Sequence, residues 1–142
     1  MKVEFTIPGP PQGKARPRVV RMKNGASVSY TPDKTVFYEE LVRQRYKDAS
    51  KGHKFSDSLA LRVTIISGYP IPASKPKKQQ ASMLAGEIRP TKKPDGDNII
   101  KIVCDALNGF AYKDDAQVVE MVLIKRYIPG AGETVVRIEE AR

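Results

Sequence analysis

Five aspartates, Asp95, Asp97, Asp105, Asp114 and Asp115, fall between positions 92 and 117 of a chain whose remaining charge is mostly lysine and arginine. Crowded carboxylates repel one another, and the simplest group that offsets the repulsion is a divalent cation with a preference for oxygen, Mg²⁺ or Mn²⁺. Residues four apart stack on one helix face. A helix beginning near Asp97 therefore aligns Asp97, Lys101 and Asp105 in a stripe rising about 6 Å per step, while Ile99, Ile102, Val103 and Ala106 face elsewhere. Asp95 lies just outside that helix start, close enough for Asp95 and Asp97 to grip one cation beside the positive end of the helix dipole. The turn 109–113 folds the chain back and can deliver Asp114 or Asp115 to the same place. Two acids from a helix start and one from a strand start would form a single site for metal-assisted hydrolysis, with Lys101 held protonated by Asp97 and Asp105 and ready to orient water or to stabilise charge.

Taken singly, each of these residues has a plainer explanation. Asp97 could be only a helix cap, Lys101 only the middle of i to i+4 ion pairs worth about 0.3 to 0.5 kcal/mol, and Asp114–Asp115 only a turn before a strand. The joint pattern is harder to explain that way, because a cap accounts for one acid and not for two acids, a lysine and a returning acidic pair. Rival chemistries lack their parts. His53 is the sole histidine and sits in the polar run K-G-H-K, so a Ser-His or Cys-His relay has no base. Cys104 reads as a small core residue of the helix. No G-x-x-x-x-G-K-[ST] or G-x-G-x-x-G occurs, which argues against a nucleotide cofactor.

The elements that must position these acids follow from periodicity and punctuation. Positions 2–7 alternate charged and apolar residues as a strand and stop at P-G-P-P. Positions 19–22 and 26–30 flank Lys23-Asn24-Gly25 as a hairpin. Thr31 as N-cap and Pro32 as first helical residue open a helix over 32–49, with an apolar stripe of Val36, Phe37, Leu41 and Val42. A polar connector, 50–58, leads to a central strand over 59–69 that Pro70-Ile71-Pro72 terminates. Positions 74–93 hold six Lys/Arg against the single acid Glu87, with a short helix at 79–84. Asp97 or Asn98 caps the next helix, which runs to Leu107 and ends at Asn108-Gly109. Positions 116–128 and 134–139 look like an antiparallel pair joined around Pro129-Gly130-Ala131-Gly132. This order predicts one α+β domain over residues 1–142, a mixed β-sheet with two main helices packed on it.

Charge points to the substrate. The 142 residues carry a formal net charge of +9 and a pI near 9.7, which favours a polyanionic partner. Lys14, Arg16, Arg18, Arg21 and Lys23 crowd the N-terminal loop and hairpin, and Lys75, Lys77, Lys78, Arg89, Lys92 and Lys93 crowd the approach to the acids. Flanking an acidic site on both sides, they suit clamps on a nucleic-acid backbone. A single cysteine excludes an intramolecular disulfide, no Cys/His cluster offers a structural zinc site, and no run approaches the ~18 apolar residues of a membrane span. A cytoplasmic, soluble protein without a membrane partner is expected.

The stretch K-P-D-G-D-N-I-I-K-I-V-C-D-A-L-N-G-F-A-Y-K-D-D-A-Q resembles the signature of the RusA-like Holliday junction resolvases, commonly carried by prophages. F-T-I-P-G-P-P-Q-G-K-A-R-P-R near the start and P-T-K-K-P-D before the helix are similar to members of the same family, so the resemblance covers most of the chain. It implies a homodimeric endonuclease that resolves four-way DNA junctions by paired, symmetric nicks with Mg²⁺ or Mn²⁺. It also implies that Asp95, Asp97 and Asp115 are essential acids and that Lys101 is the accompanying lysine, with Asp114, Asp105 and Asn98 as supporting neighbours. Lys14, Arg16, Arg18, Lys75, Lys77, Lys78, Lys92 and Lys93 are the expected DNA contacts. Two other readings stay open: a less selective nuclease for flaps or forks, and a non-catalytic DNA-junction-binding module.

Overall fold

The most apolar segment of the chain decides the architecture. Strand β4 (Leu61–Pro70) buries Leu61, Val63, Ile65, Ser67 and Tyr69 on one face, and it takes the centre of a four-stranded sheet of order β1-β6-β4-β5. In the computed structural model, which describes residues 1–142, β1 (Lys2–Pro8) and β6 (Glu133–Glu140) run antiparallel, β6 and β4 run antiparallel, and β4 and β5 (Val118–Ile128) run parallel. The sheet is mixed, as expected for an α+β domain.

The closing strands differ from the expected hairpin. β5 and β6 are antiparallel in direction but do not pair, because β4 lies between them and bonds to both. A strand this apolar is stabilised by having a neighbour on each side, and that outweighs the entropic advantage of a short hairpin. The loop from β5 to β6 must then cross the end of β4 in close contact. A Cβ on Gly68 would meet Ile128 Cδ1 at 2.5 Å and the Glu133 carbonyl oxygen at 2.9 Å, so the crossing requires glycine there.

Helix α1 (Asp33–Ser50) and helix α3 (Gly96–Leu107) pack side by side over β1, β4 and β5, with the short helix α2 (Lys77–Leu84) beside β5. The buried face of α1 is Tyr38, Val42 and Tyr46, spaced by four, and Tyr46 meets Phe5 edge-on at 5.7 Å. The expected stripe is thus shifted. Val36 and Phe37 are 40% and 73% exposed, since the two tyrosines bury more surface and set the rotation of the helix. Pro32 rather than Thr31 is the cap residue, and no side chain caps the helix. Strands β2 (Arg18–Arg21) and β3 (Ser27–Tyr30) form a separate two-stranded ribbon.

Candidate active site

The acidic segment begins at a helix N-terminus. Asp95 is the N-cap residue of α3, Asp97 lies in its first turn, and the helix has no side-chain capping hydrogen bond. Asp97 or Asn98 was the expected cap; instead the helix opens at Asp95, two residues before Asp97, with the amide of Ile99 donating to the Asp95 carbonyl at 3.0 Å. Neither carboxylate is used up in closing the helix end. Both sit where the helix dipole favours negative charge.

Down the helix, Asp97, Ile100, Lys101 and Cys104 share one face. They line a shallow concavity of about 360 Å³ together with Asp115, Val118 and Met121 from the start of β5. The return of the chain therefore brings Asp115 to Asp97 and Lys101, as the sequence suggested. Side chains fix that return: the Asn108 Oδ1 accepts the backbone N–H of Asp115 at 2.9 Å, and the Gln117 Oε1 accepts that of Lys113 at 3.0 Å. Asp115 then opens a 3₁₀ turn, Asp115–Gln117, that leads into β5. Burial, a side-chain hydrogen bond with Asp114, and the charges of Asp114 and Asp105 together raise the Asp115 carboxyl above the usual carboxylate range. An acid in that position is strained by its like-charged neighbours and would be relieved by a cation.

Asp95 faces a different way. It lines an adjoining cleft of about 640 Å³ with Arg16, Arg18, Lys34, Lys93 and Asn98. Two residues of helix turn a side chain by about 200°, so Asp95 and Asp97 leave the axis on opposite sides. No three acidic, histidine or cysteine side chains converge closely enough by themselves to hold a metal ion. The first turn of α3 thus separates a basic cleft containing Asp95 from a concavity containing Asp97, Lys101 and Asp115.

Two expected ion pairs do not form. Lys101 makes no salt bridge with Asp97 or Asp105; the ammonium of Lys14 lies 3.4 Å from Asp105 and 3.0 Å from Glu39 instead. The N-terminal loop lies directly across α3, and the Lys14 amide donates to the Asn98 carbonyl at 3.0 Å. A Cβ on Gly13 would stand 3.0 Å from both the Asn98 and Pro94 Cβ atoms, so only glycine permits this approach at no cost. Lys14, expected on DNA, lines the cleft that contains Asp95 and also ties the loop to α1 and α3. Lys101, exposed and without a carboxylate partner, is left free at the concavity.

The segment that delivers Asp95 is clamped by residues that sequence reading missed. Lys125 Nζ donates to the carbonyls of Lys92 at 2.8 Å and Pro94 at 3.2 Å, and the Tyr69 hydroxyl donates to the Pro94 carbonyl at 3.0 Å. Burial first, then the charge of Asp95, pushes the Tyr69 phenol up to about 12, so it remains a donor at neutral pH. A signal was present for Lys125: it has the parity of Met121, Leu123 and Tyr127, which places a lysine on the helix-covered face of a strand. The other basic residues scatter. Lys93 lines the Asp95 cleft, Lys92 lies over the Tyr127 ring at 5.9 Å, and Lys75, Lys77 and Lys78 are exposed at the start of α2, lining neither concavity. Cys104 is a buried core residue and His53 is exposed. No helix is long and apolar enough to cross a membrane.

A family profile described as Endodeoxyribonuclease RusA matches residues 8–139. The chain is also 33% identical over 125 residues to the uncharacterized protein YqaN of Bacillus subtilis strain 168, spanning 88% of this chain and 87% of that protein.

Proposed function

Because the chain belongs to the RusA endodeoxyribonuclease family, and is thus a nuclease acting on DNA, we propose that it resolves four-way junctions by paired, symmetric phosphodiester hydrolysis in the presence of Mg²⁺ or Mn²⁺. The observation that carries this reading is the meeting of Asp97, Lys101 and Asp115 around one concavity, beside a cleft lined by arginine and lysine. The donor set suits a hard cation: carboxylate oxygens only, two of them at a helix start without capping duty and one raised by its neighbours. Asp97 and Asp115 would hold the ion; Asp95, which lines the adjoining cleft, would join them by swinging around the first turn of α3. Such an ion polarises a phosphate oxygen and lowers the pKa of bound water.

The remaining work falls to side chains of this chain. Lys101, free of carboxylate partners, offers a positive group to charge developing on the phosphate. Asn108 sets the position of Asp115 through its backbone, and Tyr69 and Lys125 hold the segment ahead of Asp95. Arg16, Arg18, Lys34 and Lys93 neutralise backbone phosphates along the cleft.

A two-fold junction is most simply cut by two subunits related by the same symmetry. Support for a homodimer comes from the sheet face opposite the helices. Thr64, Ile66, Val122, Ile124 and Val135 lie there without a covering helix, bordered by the paired charges Arg62–Glu120, Arg62–Glu139 and Arg137–Glu4. On a chain of net charge +9, such a charge-balanced, partly apolar face is where two copies can meet with little repulsion.

The test is an incision assay on a synthetic mobile four-way junction, a flap and a plain duplex, with and without Mg²⁺. Paired nicks on opposing strands of the junction, lost on chelation, are expected. Asp97→Asn and Asp115→Asn should lose cutting and keep junction binding. Equal cutting of all three substrates would establish the less selective nuclease, and metal-independent nicking by both variants would discard the site.

A further inference from the structure

The ribbon β2–β3 is left unaccounted for by the cutting site. It is a lone pair of four-residue strands closed by a tight turn at Asn24-Gly25, and it packs against no other strand or helix to any extent. Every residue from Arg16 to Tyr30 is exposed, including Val19, Val20, Met22, Val28 and Tyr30. An isolated two-stranded ribbon is at best marginally stable in water, so a chain that keeps one with apolar side chains on display has a use for it when covered.

Its two faces are unlike. Cross-strand partners share a face, so Arg18, Val20, Val28 and Tyr30 stand together, while Val19, Arg21, Ser27 and Ser29 stand on the reverse. Arg18 also lines the cleft that contains Asp95. The Val20–Val28–Tyr30 face is therefore continuous with the cleft wall, and the mainly polar face looks away. Charge identifies the occupant. No acid occurs between Glu4 and Asp33, whereas Lys14, Arg16, Arg18, Arg21 and Lys23 do. A surface that is apolar along its centre and positive along its edges suits the groove of a nucleic-acid duplex, with phosphates on either side and base edges on the floor.

We propose that the β2–β3 ribbon enters the major groove of a duplex arm next to the scissile phosphate, with Val20, Val28 and Tyr30 against the base edges and Arg18 and the turn residue Lys23 on the flanking phosphates. The inference rests on the reading of this chain as a DNA nuclease and adds the element that grips the arm. The dimensions fit. Four residues at about 3.3 Å each give a ribbon about 13 Å long, against a groove about 8.5 Å deep and 12 Å wide that admits a two-stranded ribbon. Apolar contact on the groove floor discriminates thymine methyl groups, so any sequence preference at the cut site resides partly in this ribbon.

A pair of equal-charge substitutions tests the face. Val28→Asp and Ser29→Asp add the same charge one residue apart on opposite faces of an element outside the core, so neither should unfold the domain, as circular dichroism would verify. Junction affinity at fixed salt should fall roughly tenfold further for Val28→Asp than for Ser29→Asp, because only the former is forced against base edges. Lys23→Ala, at the turn, should lower the salt slope of binding by about one. Protection of guanine N7 from methylation in one junction arm should be present with the unmodified protein and lost with Val28→Asp. Equal losses for the two aspartates, with unmodified protein still cutting, would reduce the ribbon to a nonspecific clamp and overturn the inference while sparing the nuclease reading. A change in oligomeric state on sedimentation, with DNA affinity equal for the two variants, would place a second copy on the ribbon and also overturn it. Unmodified protein that neither binds nor cuts branched DNA would remove the nuclease reading itself.

Discussion

Lys14, expected on DNA, also ties the N-terminal loop to α1 and α3, and Lys14→Met measures that tie. The methionine keeps most of the apolar stem and deletes only the ammonium, which lies 3.0 Å from Glu39 and 3.4 Å from Asp105. Glu39 is 7% exposed, so the variant leaves a carboxylate in the α1–α3 interface without its cation. Breaking a buried pair from one side costs about 3 to 5 kcal/mol. Here the side chains keep 21% and 10% of their exposure, and solvent screening brings the expectation to about 2 to 3 kcal/mol. Asp105, more exposed, adds only a few tenths. Unfolding entropy of about 2.1 cal/mol/K per residue makes each kcal/mol worth roughly 3 °C in a chain of this size, so the melting temperature should fall by about 6 to 10 °C. Adding Glu39→Gln should recover at least 1 kcal/mol, because it removes the stranded charge and leaves an amide that can bond neutrally. Thermal melts of the two single variants and the double variant measure that coupling directly. A shift within about 2 °C for Lys14→Met, or strict additivity in the cycle, would refute the tie. Junction binding supplies the contrast: a phosphate contact would lower the salt slope by about one, whereas a structural tie leaves it unchanged.

Three further outcomes follow from the site and the crossing loop. Asp115→Asn should raise stability at neutral pH by about 0.5 kcal/mol while ending cleavage, because it removes one of a set of repelling carboxylates. Asp115 holds its proton to higher pH in the folded chain than in the unfolded one. Its cost is therefore absent below the unfolded pKa and grows as pH rises through the folded value, so melts should show the variant's advantage at pH 7 and not near pH 3. Asn108→Ala, which removes the acceptor of the Asp115 amide, should slow incision roughly tenfold at unchanged junction affinity and cost about 1 kcal/mol in urea unfolding. Gly68→Ala forces a methyl group against Ile128 and the Glu133 carbonyl; a loss of about 2 to 3 kcal/mol of unfolding free energy in urea is expected, and a neutral effect would contradict the close crossing.

The reach of the sequence shows in particular elements. Strand β4, helix α3 and the stop at Asn108-Gly109 were legible because each is marked by its own residues: a run of Val and Ile, an apolar period of 3.6, a helix terminator. The neighbours of β4 were not. Pairing partners depend on which strand gains most from two neighbours, a comparison between segments that no local pattern contains, and so the antiparallel pair expected of β5 and β6 became two strands flanking a third. In α1 the expected stripe of Val36, Phe37, Leu41 and Val42 gave way to one with Tyr38, Val42 and Tyr46, which packing against Phe5 and β1 selected.

The same division holds for the site. The spacing of Asp97, Lys101 and Asp115 was enough to bring them around one concavity, because helix geometry and the short turn after Leu107 leave few other places for them to go, whereas Asp95, expected with them, lines the adjoining cleft. The partners of these charges were decided by the tertiary structure alone. Lys14 reaches Asp105 from more than ninety positions earlier in the chain, Lys125 arrives on the backbone ahead of Asp95 from a strand, and Lys101 is left free as a result. A charge selects its partner by distance in space, falling off over a few ångströms, and in a folded chain that distance is unrelated to separation in sequence.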